Sequence, residues 1–337
     1  MKIYNKEITE EQAKYLLKCR DTSFMRGPRL VYYPGYDIIK DFEKIFDDAQ
    51  LDFNSEELNS HDVECAVLDI IRKRNSKACF YAAYLLQDSS FPTEIFENVI
   101  NKNKDIFAQF AYLVTLPSAS AQEMVDNIAE VGITYYNLAL IANSKNECDF
   151  TNNINVIMEK GSPTQLVYMA KNCKNVDVDV VRELILDSCD EKANYLFAYN
   201  INNSFNKNRK GTENYPALEK NNIYEFYKNL KESTRQKLIA QHIKKVIYGQ
   251  DAQYNFKLAV NGILEDNPYI DKDKAYRYIK YNIISSNSVK YLTKYALEVE
   301  NSDKDEALNE VKRIGTNEEI EYLEHSIAFS DFFRQTQ

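Results

Sequence analysis

Arginine and tyrosine are concentrated in one short stretch, RDTSFMRGPRLVYYPGYD, residues 20 to 37. It contains Arg20, Arg26, Arg29, Tyr32, Tyr33 and Tyr36, together with Gly27 and Gly35, two of the eight glycines in the chain. Guanidinium groups pair with phosphates or carboxylates, and tyrosine rings either stack on bases or anchor a protein interface. Arg26, Arg29, Tyr32, Tyr33 and Tyr36 are therefore the first candidates for partner binding; the bland alternative is a loop wrapped on its neighbouring helices. A second basic cluster lies in NINNSFNKNRKGTENYPALEKNN, residues 200 to 222, where Lys207, Arg209 and Lys210 follow one another closely. Beyond it, IYEFYKNLKESTRQKLIAQHIKKVIYG reads as one long helix that places Lys237, Lys244 and Lys245 on or near one side.

Few other residues are spaced for chemistry. The three histidines, His61, His242 and His325, are far apart. In HDVEC, His61 and Cys65 stand one helical turn apart, but a zinc site needs more ligands than two. No metal or cofactor is expected. Acidic pairs such as Glu10 with Glu11 and Asp47 with Asp48 are what chance supplies in a chain with 51 acidic residues, and helix surfaces are their usual place. No nucleophile signature, glycine-rich phosphate loop or dinucleotide fingerprint occurs. The expectation is a protein without catalytic activity.

Composition bounds the remaining choices. With 337 residues and 44% hydrophobic content, the chain can bury a large core. Eight glycines and seven prolines are few, which argues against an all-β sandwich and predicts few turns with left-handed backbone. A net charge of −9 disfavours wrapping by nucleic acid over the whole molecule. The charge is uneven, however. Residues 76 to 200 carry nine Lys/Arg against sixteen Asp/Glu, and residues 201 to 250 carry ten against four. The six cysteines form no C-x-x-C pair and read as reduced core thiols. No run approaches the length of a membrane span, and MKIYNKEITEEQ has no apolar leader core, so a cytoplasmic protein is expected. Abundant Asn, Lys, Ile and Tyr fit an AT-rich coding genome, such as that of a bacterium or a phage.

The elements that must position these residues are helices. CFYAAYLLQD, FAQFAYLVTL, YYNLALIANS and PTQLVYMAKN are related cassettes, and superposing them gives an offset of 28 residues. Ala83, Ala111, Ala139 and Val167 form one column; Leu85, Leu113, Ile141, Met169 and Phe197 form another. A downstream series repeats Ile100, Ile128, Val156 and Leu184, and a second repeats Phe96, Met124 and Val180, broken by Asn152. Spacings of three and four within each segment are helical, and two segments per copy predict a pair of short antiparallel helices. Stacked pairs make an α-solenoid. In general pattern the chain resembles HEAT-like and other short helical-pair repeats over residues 60 to 200, and it matches no family motif.

The expected organisation is all-α. Residues 1 to 58 form an irregular N-terminal cap in which Thr9 and Gln12 make a capping box. Residues 59 to 200 hold the regular repeats, 201 to 222 a basic polar linker, and 223 to 337 a divergent helical region. In that last part Tyr291 and Leu292 align with Tyr322 and Leu323, and Phe329, Phe332 and Phe333 gather near the end. Geometry of this kind suits the holding of a peptide or a folded partner, so a non-enzymatic protein-binding, assembly or inhibitor role with a protein partner is the leading expectation. The second is nucleic-acid binding through residues 201 to 250 and the Arg/Tyr loop.

Overall fold

The computed structural model describes residues 1 to 20, 38 to 40, 43, 59 to 205, 222 to 265 and 267 to 335. The chain divides into two compact units, Met1–Lys160 and Gly161–Gln337, and helices dominate both, as expected. Among the described residues, no helix is long and apolar enough to cross a membrane.

The first unit begins with a hairpin that the sequence reading missed. Strands β1 (Lys2–Ile3) and β2 (Lys6–Glu7) pair antiparallel, Lys2 opposite Glu7 and Ile3 opposite Lys6. Tyr4 and Asn5 make the turn with φ of 44° and 64°, the left-handed pair that a two-residue hairpin requires. Long-range bonds hold this turn: Tyr4 N–H donates to Glu64 Oε1 at 3.3 Å, and Ser90 N–H donates to the Tyr4 carbonyl at 2.9 Å.

Helix α1 (Glu10–Lys18) follows, with the expected capping box: Thr9 Oγ1 accepts from Gln12 N–H, and Gln12 Oε1 accepts from Thr9 N–H. Then come α2 (Ser60–Lys73), α3 (Ser76–Leu86), α4 (Glu94–Asn103), α5 (Ile106–Thr115), α6 (Ala121–Val131), α7 (Thr134–Asn143) and α8 (Thr151–Lys160). Adjacent helices pack as pairs, α3 with α4, α5 with α6 and α7 with α8, and α5 also packs on both α3 and α7. Ser120 stands at the start of α6 without a side-chain capping bond. Ser118 Oγ instead donates to the buried Glu97 carboxylate at 2.6 Å, and Ser90 Oγ donates to the Tyr4 carbonyl.

The second unit comprises α9 (Pro163–Asn172), α10 (Val178–Ser188), α11 (Glu191–Phe205), α12 (Asn222–Tyr227), α13 (Glu232–Tyr248), α14 (Ala252–Val260), α15 (Lys272–Ile284), α16 (Val289–Glu298), α17 (Lys304–Ile314) and α18 (Asn317–Gln335). Here α9 pairs with α10, α11 with α13, α14 with α15, and α16 with α17. The stretch read as one helix over residues 223 to 249 is two, α12 and α13, separated by residues 228 to 231.

Three sequence expectations are corrected by burial and backbone. Phe96 and Met124 are buried, but the corresponding core positions further on are Asn153 and Val181; Asn152 and Val180 face solvent. Likewise Ile157 and Ile185 are fully buried after Ile100 and Ile128, where Val156 and Leu184 had been expected. The step between 124 and 153 is one residue longer than 28, so the apparent break at Asn152 is a slip of one position. Second, scarce glycine does not mean scarce left-handed turns. Arg74, Lys104, Cys189 and Asn287 carry φ of 50° to 53°, each directly before the residue that caps the next helix. Third, the cysteines are not uniformly core: Cys19, Cys79 and Cys173 are buried, Cys65 and Cys148 half-buried, and Cys189 exposed.

A candidate docking face on α13 and α15

Two helices of the second unit each present a stripe rich in cationic and tyrosine side chains, at the same spacing. On α13 it is Gln241, Lys244, Lys245 and Tyr248; on α15 it is Lys274, Arg277, Tyr278 and Tyr281. Both have positions i, i+3, i+4 and i+7, which share one face of a helix. The opposite faces are apolar and buried: Ile239, Ile243 and Val246 on α13, and Ala275, Ile279 and Ile283 on α15. Burial of these faces fixes the rotation of each helix and turns the stripes to solvent.

A buried amide sets the two stripes against each other. Asn282, on the inner side of α15, donates through Nδ2 to the Ile247 carbonyl at 2.9 Å and the Gly249 carbonyl at 2.7 Å, both at the end of α13. The same group lies 3.2 Å from Asn255 Oδ1 on α14. Asn255 in turn donates to the carbonyls of Val246 and Asp251. The Ile247 and Gly249 carbonyls lie at the end of α13, where intrahelical donors run out, so the Asn282 amide satisfies groups that could not otherwise be buried without cost. The Val246 and Asp251 carbonyls also accept from the Gly249 and Asn255 N–H groups. With α15 held there, the Tyr278 ring meets the Tyr248 ring edge-on at 5.3 Å and 88°, a favoured aromatic arrangement.

Three recesses adjoin along this face. The first, of about 680 Å³, is bounded by Glu183, Asp187, Cys189, Lys244, Lys245 and Tyr248. The second, of about 450 Å³, is lined by Lys274, Arg277, Tyr278 and Tyr281. The third, of about 440 Å³, shares Arg277 and Tyr281 and reaches Lys280, Glu306, Glu310 and Arg313. Tyr248, Tyr278 and Tyr281 are 59%, 39% and 67% exposed, which is high for side chains of this size.

Charge is compensated at both ends and not in the middle. Lys280 lies between Asp303 and Glu306, whose carboxylates hold its ammonium above the usual lysine range. Asp303 is correspondingly held below the usual carboxylate range, chiefly by its bond from Lys280. Arg313 pairs with Glu310 at 2.8 Å. At the other end Lys245 Nζ lies 3.4 Å from Cys189 Sγ, and the recess also holds Glu183 and Asp187. Lys274 and Lys244 have no ion pair among the described residues, and Arg277 donates only to the Asp273 backbone carbonyl. The central recess thus combines two uncompensated cations with two tyrosines and no carboxylate.

Of the sequence candidates, Arg26, Arg29, Tyr32, Tyr33, Tyr36, Lys207, Arg209 and Lys210 lie outside the described residues. Lys244 and Lys245 fall on this face. Lys237, exposed one turn before Gln241, sits over the Tyr269 ring, 5.3 Å from its centre. The residues sequence reasoning missed are Lys274, Arg277, Tyr278 and Tyr281; their helical spacing was visible, but spacing alone does not say which face of a helix is exposed. The remaining chemical candidates do not gather. His61 Nε2 is 3.7 Å from Cys65 Sγ, and among the described residues no three His, Cys, Asp or Glu side chains are placed to hold a metal. No family model, curated protein or solved structure matches this chain.

Proposed function

We propose that the chain is a non-enzymatic binding protein whose helix pairs stack as an α-solenoid, HEAT-like in general pattern, and whose partner is another protein. Helices α3, α5, α7, α9 and α11 begin at residues 76, 106, 134, 163 and 191, steps of 30, 28, 29 and 28, which supports a repeat of about 28 residues with slips. Such an array offers a long surface built from successive helices. The observation that carries the functional reading is the pair of equally spaced stripes on α13 and α15, with three exposed tyrosines among cations. Exposed tyrosine and arginine are the residues that anchor protein interfaces. Unpaired thiols throughout suit a reducing, cytoplasmic setting.

Affinity capture of the tagged chain from lysate of its source, with and without nuclease, tests this reading. One protein retained in stoichiometric amount after nuclease supports it. Capture that disappears with nuclease replaces it with nucleic-acid binding through residues 201 to 250 and the Arg/Tyr loop, where charge reversal at Arg209, Lys210, Lys244 and Lys245 should abolish binding.

A further inference from the structure

Resting on the protein-binding reading, the geometry points to a specific class of partner: the α13 and α15 stripes dock an acidic polypeptide segment that carries aromatic or aliphatic side chains between its carboxylates. The central recess sets the requirement. Lys274 and Arg277 supply uncompensated positive charge there, and Lys244 extends it on α13. The ring faces of Tyr278 and Tyr281 supply an apolar floor between the cations. Among the described residues, the hydroxyls of Tyr248, Tyr278 and Tyr281 donate to no group of the chain, so each can bond the backbone of a bound segment.

The ends of the face select against the other polyanion of this size. A nucleic-acid strand carries a charge at every nucleotide. Spanning the three recesses, it would run beyond the central cations onto flanks whose charges are already matched, Lys280 by Asp303 and Glu306, Arg313 by Glu310 and Glu183 by Arg182, so that its outer phosphates meet cations already paired. A polypeptide can concentrate its carboxylates over Lys244, Lys274 and Arg277 and leave the flanks neutral or basic. Attraction confined to the centre, with matched charge at the margins, favours a local cluster of carboxylates over a continuous polyanion.

Fluorescence anisotropy on the full chain tests this with three labelled probes: a peptide in which glutamates are interspersed with phenylalanine and leucine, its counterpart with glutamine for glutamate, and an oligothymidylate. The glutamate peptide should bind most tightly, and the double variant K274E with R277E should weaken it about tenfold or more. Tyr281→Ala should weaken it as well, and Tyr281→Phe should retain the ring contribution. These side chains are exposed, and unchanged circular-dichroism melts establish that the variants remain folded. Equal binding of the glutamine peptide, tighter binding of the oligothymidylate, or no effect of the double variant would each overturn the inference. Its failure can be told from failure of the protein-binding reading. A partner captured from lysate equally by the wild-type chain and by the double variant leaves that reading standing and removes only this site.

Discussion

His242 Nδ1 lies 2.8 Å from Asn194 Oδ1, joining α13 to α11 in the interior of the second unit. Asn194 Nδ2 donates to the Ile185 carbonyl at 3.1 Å and the Asp190 carbonyl at 2.8 Å, so its oxygen faces the imidazole as an acceptor. Nδ1 therefore carries the proton. Nε2 is buried and has no hydrogen-bond partner, and the ring packs 4.7 Å from that of Phe197.

Protonation of His242 would place a second N–H where nothing accepts it. Burial foremost, then the positive charges of Arg182 and Lys245, lower its pKa from 6.5 to about 3. The unfolded chain consequently binds more protons than the folded one between those values, and stability falls as the pH is lowered. The contribution is complete above about pH 6.5 and is lost towards pH 3, at up to about 1.4 kcal/mol per pH unit. In His242→Gln this part of the pH dependence should vanish. Denaturation curves of both proteins at a series of acidic pH values measure it, and parallel slopes would refute the assignment.

Asn282 is expected to matter more for stability than any lysine of the docking face. Replacing it by alanine strands the carbonyls of Ile247 and Gly249 and the oxygen of Asn255. A loss of about 2 kcal/mol follows from leaving buried acceptors unpaired. Urea denaturation provides the value; a loss below about 0.5 kcal/mol would mean that water replaces the amide without penalty.

Lys104 ends α4 in left-handed backbone at φ 50°. A side chain there costs about 1 kcal/mol that glycine would not incur, offset in part by the greater freedom of glycine in the unfolded chain. Lys104→Gly should leave the melting temperature unchanged or raise it by a few degrees. The same substitution at Lys102, inside the helix, should lower it by destabilising the helix by about 1 kcal/mol. Thermal melts of the two variants compare them directly, and an equal loss in both would contradict the backbone argument.

Cys189 should be the first thiol to be alkylated, because it is exposed whereas the other five are buried or half-buried. Cys79 and Cys173 are buried, which pushes each thiol up to about 12, and they should react only on unfolding. Peptide mapping after brief treatment with iodoacetamide gives the order. Faster labelling of Cys79 or Cys173 than of Cys189 would show that the surroundings described here do not govern reactivity.

Much of the secondary structure could be read without coordinates. The cassettes containing Phe107, Phe110 and Leu113, or Val181 and Ile185, lie in helices as their spacing requires, and the Thr9 capping box forms as its residue types demand. Two local features escaped. The hairpin at Tyr4 and Asn5 lacks the usual glycine, and its turn is held by Glu64 and Ser90, residues remote in sequence. The turns at Arg74, Lys104 and Cys189 also place non-glycine residues at positive φ, a strain that packing of the flanking helices can offset and composition cannot disclose.

The sequence by itself determined that the chain is helical and that Lys274, Arg277, Tyr278 and Tyr281 share one face of α15, because both follow from the 3.6-residue period. Only the tertiary structure decided which tyrosines are core and which are surface. Tyr281 is 67% exposed, whereas Tyr227 is fully buried with its hydroxyl 2.9 Å from Asp179. It also decided that Asn137, Asn194 and Asn255 are interior, each donating to carbonyls four and nine residues earlier in the chain. Asparagine is ordinarily a surface residue. Its burial is tolerable only where helix ends and side chains from neighbouring elements meet its amide, and that meeting depends on packing between helices, which no local pattern records.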